Sequence, residues 1–311
     1  MKQLVHSFSV GRLRCHALEA GLQRLDGGAM FGVVPKPLWQ RRIAPDERNR
    51  IPLALRCLLV EHPEGLVLID SGIGNKEDAK FKEIYGVEND GAQGPTQLED
   101  ALLALGRGPE DIRWVINTHL HFDHAGGNTR TDGRTDGPTV SAGGDGPSDR
   151  PSVRPSFPNA TYVVQREELD FARHTNERTR ASYLPLNFEP IAVLDRWHLL
   201  DGEVEILSGI QARLTPGHVP FHQSIVLRDG GETAVFLGDV VPTAAHLPLA
   251  WIMGYDLEPL RTLESKRALL REAASQGWLL VFEHDADVIL GRATAGPREI
   301  EMTEVVRRSA G

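Results

Sequence analysis

Apolar runs too short for helices recur along this chain, and several stop on a histidine or an aspartate. "IRWVINT" (112–118) runs into His119, and "IQARLT" (210–215) is followed by "PGH", which ends at His218. "ETAVFLGD" (232–239) closes on Asp239, and "WLLVFE" (278–283) precedes His284. Runs of this length between turn residues read as buried strands. Residues at their ends sit where loops build sites on a rigid sheet. The chain is therefore constrained to a sheet-based fold that collects its polar chemistry at strand ends.

Further runs extend the pattern. "LALRCLLVE" (53–61) and "LVLID" (66–70) are joined by a turn holding Pro63 and Gly65, and "ATYVVQ" (160–165), "EVEIL" (203–207), "QSIVLRD" (223–229) and "DVILG" (287–291) follow. Helical patterns lie between them. Residues 94–106 carry Thr96 as N-cap with Glu99 three positions later, a capping box. Residues 166–174 form a short helix. Residues 257–277 have leucines at 260, 263, 269 and 270 on one face and Gly277 as a stop. The tail "REIEMTEVVRR" fits a strand or a helix. This order predicts a mixed, layered α/β fold rather than a strict βαβ repeat. Residues 126–158 are almost all Gly, Ser, Thr, Asp, Pro, Asn and Arg. They read as a flexible surface insertion within a single domain spanning 1–311, leaving the chain where a lid would also leave it.

Composition narrows the function. A net charge of −9 and a pI near 5.7 leave no broad positive field for a phosphate backbone, so nucleic acid is not an expected partner. Cys15 and Cys57 form no CxxC pair and read as buried thiols. The N-terminal stretch lacks a continuous apolar segment, and no run approaches a membrane span, so a cytoplasmic protein without a membrane partner is expected.

The densest chemistry is "THLHFDHAGG" (118–127). His119 and His121 are two apart and point the same way in an extended segment, and Asp123 and His124 follow at a turn that "AGG" lets bend tightly. Imidazole and carboxylate are the usual ligands of borderline divalent metals. Four of them are crowded for one tetrahedral ion with an open position, which suggests two ions. His218, Asp239 and His284 are the remaining candidates. The bland reading, core or surface histidine, applies to His6, His16, His62, His174, His198 and His222.

In order, His119, His121, Asp123, His124, His218, Asp239 and His284 match the HxHxDH…H…D…H pattern, and the chain resembles the metallo-β-lactamase-fold hydrolase superfamily from about Cys57 to His284. The resemblance implies an α+β, four-layer αββα sandwich of two mixed β-sheets flanked by helices. It also implies two divalent ions, zinc first, with manganese, iron or cobalt as alternatives. One ion would be held by His119, His121 and His218, the other by Asp123, His124 and His284, with Asp239 bridging. Asp70 in "LIDSGIG" matches a further motif and would orient a histidine ligand or the loop backbone.

Such a pair of ions, about 3.5–4 Å apart, can activate a bridging hydroxide near neutral pH. The expected reaction is hydrolysis of an ester-type bond in a small molecule: a lactone or carboxylic ester first, a phosphotriester next. Asp123 or Asp239 would carry the proton. A mononuclear iron oxidoreductase on the same fold is the alternative. The stretches 26–39 and 238–256 resemble the branch of quorum-quenching lactonases and methyl-parathion-type hydrolases. That places Met30, Phe31, Trp251 and Met253 in the substrate pocket. The branch often has a tyrosine three residues after the bridging aspartate. Here that position is Pro242, which leaves Tyr255 or His246 as substitutes. "PKPLWQRR" (35–42) suits a homodimer contact or a pocket wall equally.

Overall fold

The apolar runs become strands covered on both faces, which is why their sequences show so little polar alternation. In the computed structural model, residues 3–131, 153–297 and 300–308 are described. The strands in chain order are β1 (Val5–Val10), β2 (Leu13–Asp26), β3 (Arg50–His62), β4 (Gly65–Ile69), β5 (Ile112–Ile116), β6 (Thr129–Thr131), β7 (Val153–Pro155), β8 (Thr161–Gln165), β9 (Trp197–Leu200), β10 (Glu205–Leu207), β11 (Ile210–Leu214), β12 (Gln223–Asp229), β13 (Glu232–Phe236), β14 (Leu279–Val281), β15 (Val288–Ala295) and β16 (Ile300–Arg307). Among the described residues they build two seven-stranded sheets, β1-β2-β3-β4-β5-β8-β9 and β10 through β16 in sequence order, with β6 and β7 paired apart. Both are mixed. In the first, β1 to β4 are antiparallel and β4, β5, β8 and β9 are parallel. In the second, β13 and β14 form a parallel pair within an antiparallel series.

Period-two alternation then sorts side chains between layers. Val67 and Ile69 of β4 meet Ile225, Leu227, Ala234 and Phe236 of the second sheet in the central core. Leu68, between them in sequence, points the other way. It joins Leu98, Ala101 and Leu102 of the helix Gln97–Ala104. On the far side, Val226 and Val235 pack on Leu269, Leu270 and Ala273 of the helix Pro259–Gln276. The result is the helix–sheet–sheet–helix sandwich expected from the sequence.

Local signals account for the helix ends. The Glu99 carboxylate accepts the Thr96 backbone N–H at 2.9 Å, and Gly277 ends the long helix at φ 66°. The face of that helix differs from the leucine reading. Leu260 is 78% exposed, whereas Lys266 is buried and donates to the carbonyls of Pro248 and Trp251, each at 2.8 Å. The tail is β16. The hairpin β1–β2 follows no continuous apolar run. Its buried polar residues, among them His16, Glu19 and Gln23, have partners elsewhere in the fold.

The loop read over 126–158 has ends built into the fold. Gly126, Gly127 and Asn128 are buried, Thr129 pairs with Pro155, and Phe157 joins the core under the first sheet. Residues 132–152 lie outside the described residues. The glycines of "AGG" serve close approach rather than bending. A Cβ on Gly126 would stand 2.2 Å from the Ile73 carbonyl oxygen, and one on Gly127 would stand 2.0 Å from that of Ser71.

Cys15 and Cys57 are unpaired and buried. Burial, with Glu61 nearby, pushes the Cys15 thiol up to about 12. Burial, with Glu283 and Asp70, raises Cys57 well above the ordinary thiol range. A thiolate-selective reagent at pH 8 should therefore label neither cysteine in the native protein and both after denaturation. Native labelling would show that this core is open.

Candidate metal centre

The candidate ligands all follow the C-terminal ends of strands, and in the second sheet β11, β13 and β14 run the same way. His119 and His121 follow β5, His218 follows β11, Asp239 follows β13 and His284 follows β14. Asp123 and His124 lie in the single turn Phe122–Ala125. Asp239 stands between two groups. One carboxylate oxygen is 3.1 Å from His218 Nε2 and the other is 3.1 Å from His284 Nε2. On one side, His121 Nδ1 lies 3.2 Å from His218 Nε2, and the buried His119 Nε2 makes no hydrogen bond. On the other, His124 Nε2 and His284 Nε2 are 3.2 Å apart, with Asp123 oxygens 3.7 Å from each.

These donor atoms fit divalent cations. His119, His121 and His218 offer ligand atoms within 4.8 Å of one another, as do Asp123, His124 and His284. The charge balance agrees. Burial alone would lower His284, but the Asp239 carboxylate outweighs it and raises the group to about 9. His124 and His218 are also raised against burial by neighbouring carboxylates, Glu283 first for one and Asp239 for the other. The carboxylates thus demand positive charge at the place where the ring nitrogens converge. His119 and His121 are held well below the ordinary value by burial and by adjacent imidazoles, which keeps their lone pairs free.

Behind His119, His124, His218 and His284 stand partners that fix their rings. His218 Nδ1 is 2.9 Å from Asp256 Oδ1, and His284 Nδ1 is 2.8 Å from the Ala54 carbonyl oxygen. His124 Nδ1 is 3.1 Å from both Asp70 and Glu283. Asp70 also accepts the Thr118 N–H at 2.8 Å and the Thr118 hydroxyl at 2.7 Å, and Thr118 Oγ1 lies 3.1 Å from His119 Nδ1. Gln23 Nε2 donates to Asp123 at 2.5 Å. His222 Nε2 accepts the Asp239 backbone N–H at 3.0 Å. Gly238, at φ 56°, admits that contact, since a Cβ there would lie 2.7 Å from the same nitrogen.

A cavity of about 390 Å³ opens over this floor. His121, Asp123, His218, Asp239 and His284 reach it, and Leu25, Met30, Leu53, Phe122, Met253 and Leu257 form its apolar wall, with Tyr85, Tyr255 and Arg178 also lining it. Met30, Met253 and Tyr255 thus stand where a pocket role requires. Phe31, His246 and Trp251 do not line it. Phe31 stacks between Trp39 and His246, with ring centroids at 5.2 and 4.5 Å, and meets Trp251 edge-on. His246 Nε2 is spent on the Met30 carbonyl oxygen at 2.8 Å, so this trio supports the wall from behind. At Pro242, the backbone carbonyl accepts the His284 N–H at 3.1 Å.

Sequence reading missed Gln23, His222, Asp256 and Glu283 as supporting residues. Glu283 adjoins His284 and His222 follows His218 by four positions, but nothing local distinguishes them. Their roles depend on partners far away in the chain.

The metallo-beta-lactamase superfamily model matches residues 52–284. An N-acyl homoserine lactonase of Bacillus cereus is 27% identical over 256 residues, covering 77% of this chain and 84% of that protein. An N-acyl homoserine lactonase of Rhizobium radiobacter is 26% identical over 243 residues, covering 74% and 81%. Among solved structures, a probable metal-dependent hydrolase from Staphylococcus aureus superposes with a TM-score of 0.81 at 29% identity, covering 96% of this chain and all of that one. A dizinc quorum-quenching lactonase solved with its product superposes at 0.75 and 18% identity, covering 99% and 98%. With three quarters of its length under the family model and its histidines and aspartates gathered at one edge of two sheets, the chain belongs to the metallo-β-lactamase superfamily.

Proposed function

We propose that this protein is a metal-dependent hydrolase of ester-type bonds, acting on a lactone or carboxylic ester with an apolar acyl part. The observation that carries the reading is the position of Asp239, whose two oxygens each lie 3.1 Å from a histidine of a different ligand group. Lactonase relatives support the substrate class.

His119, His121 and His218 would hold one ion and Asp123, His124 and His284 the other, with Asp239 shared between them. A pair of zinc ions there would supply an activated water and polarise the scissile carbonyl. The chain does the rest. The apolar wall from Leu25 to Leu257 takes the acyl part and removes water from around the reacting bond. Asp123 and Asp239 are carboxylates at the cavity floor, and one or the other would take a proton from the attacking water and deliver it to the leaving oxygen. Gln23 holds Asp123 in place before substrate arrives. Tyr85 and Tyr255 are the phenols lining the cavity, and they offer donors that Pro242 cannot.

The first test is the metal content of purified protein, paired with turnover of a lactone, an aryl ester and a phosphotriester before and after chelation. Two metals per chain with chelator-sensitive lactone or ester cleavage are expected. One iron per chain, oxygen consumption and no hydrolysis would replace this reading with the oxidoreductase one. A second test concerns the support of His218. Asp256→Ala frees its Nδ1 and should weaken metal binding by about 10- to 100-fold. The thermal midpoint of the chelated protein should stay close to that of the unaltered chain.

A further inference from the structure

The buried face of the helix Arg166–Arg173 holds Leu169 and Ala172, as packing requires, and also Glu168, which is fully buried. A carboxylate at a core-facing helical position is costly unless it is paired. In the first turn of its helix, Glu168 could have capped its own N-terminus. Instead its Oε1 accepts the backbone N–H of Leu120 at 3.0 Å, and the hydroxyl of Tyr183 donates to the same atom at 2.9 Å. Glu168 Oε2 has no hydrogen-bond partner. Leu120 is the residue between His119 and His121, past the end of β5, where the sheet ladder no longer holds the backbone. The Tyr183 ring lies edge-on to His121 with centroids 4.7 Å apart, and the Ser182 carbonyl accepts the N–H of Phe122 at 2.9 Å.

The geometry points to Glu168, with Tyr183, as the positioning residue that sets His119 and His121 as a pair. Glu168 fixes the peptide between the two rings, and Tyr183 limits the rotation of the second. Neither touches the reacting atoms. The assignment rests on the reading that His119, His121 and His218 hold a metal, and it adds a specific consequence: the brace serves that ion alone, while Gln23 and Ala54 support the group of Asp123, His124 and His284 and Asp70 reaches both groups.

The test uses the full chain, zinc titration by calorimetry and competition with a chromophoric chelator. Glu168→Ala should lower the affinity of one of the two zinc ions by about 10- to 100-fold and leave the other within about threefold. Glu168→Gln keeps an oxygen for the Leu120 N–H and the Tyr183 hydroxyl and should bind both ions nearly as the unaltered protein does. Tyr183→Phe, which keeps the ring and loses the hydroxyl, should fall between the two. The thermal midpoint of chelated protein reads folding separately, and selective loss of one ion in a folded variant is an effect that general destabilisation does not produce. Both ions binding normally to Glu168→Ala would overturn the brace, as would Glu168→Gln failing as badly as Glu168→Ala, or equal weakening of both ions. Failure of the unaltered chain to bind zinc, manganese, iron or cobalt would instead overturn the hydrolase reading on which the brace depends.

Discussion

Asp70 is the group on which the site's construction depends. It is fully buried at the end of β4, at φ 53°, a conformation unfavourable for a side-chain-bearing residue. A buried carboxylate without donors would be expelled or neutralised. This one is met by the Thr118 N–H, the Thr118 hydroxyl and His124 Nδ1. Those contacts join the ends of two adjacent parallel strands to the turn that carries Asp123 and His124. Through Thr118 they reach His119, and through His124 they reach the other ligand group. One anion therefore sets ring orientation on both sides of Asp239.

The second sheet is fastened to this frame by another buried charge. The Arg56 guanidinium, wholly inaccessible, pairs with Glu19 at 2.7 Å and donates to the Phe282 and Asp285 carbonyls at 2.6 and 3.0 Å. It thereby holds the segment carrying His284 against β3, where Ala54 closes the contact on both sides of that histidine. Breaking such a pair from one side leaves an uncompensated charge in the core, so its value lies in fixing geometry as much as in stability. The two sheets are then locked in the relative position that brings ligands from β5, β11, β13 and β14 to one spot.

Much of this was legible because the physics is local. Strands covered on both faces leave unbroken apolar runs, and "LVLID" and "ETAVF" became β4 and β13. The ligand set stood out because imidazoles and carboxylates at the ends of apolar runs are hard to explain as core. The β1–β2 hairpin was not legible, because Glu19, His16 and Gln23 interrupt its apolar pattern and are satisfied only by Arg56, Glu61 and Asp123. The same holds for Glu168, which reads as one more charge in "REELDFAR" until the helix is laid against Leu120. Likeness of sequence puts Phe31 and Trp251 in the pocket, and His246 stands as a substitute for the tyrosine that Pro242 displaces, but an aromatic stack in which Phe31 meets Trp39 and His246 belongs to the wall's interior.

The glycines at 126 and 127 divide the molecule into a part that can drift and a part that cannot. They bring the backbone after His124 into contact with that of Ser71 and Ile73, so the loop bearing Asp70 and the turn bearing the histidines form one piece with no side chains between them. Substitution has nothing to adjust there. The opposite side of the cavity is lined by Leu25, Ala29, Met30, Arg178, Met253 and Tyr255, none of which is a candidate ligand. Accumulated changes of the side chains at those positions can reshape what the cavity accepts, while Asp256, which lies among them in sequence, stays bound to His218, so a chain built this way is able to change substrates without rebuilding its chemistry.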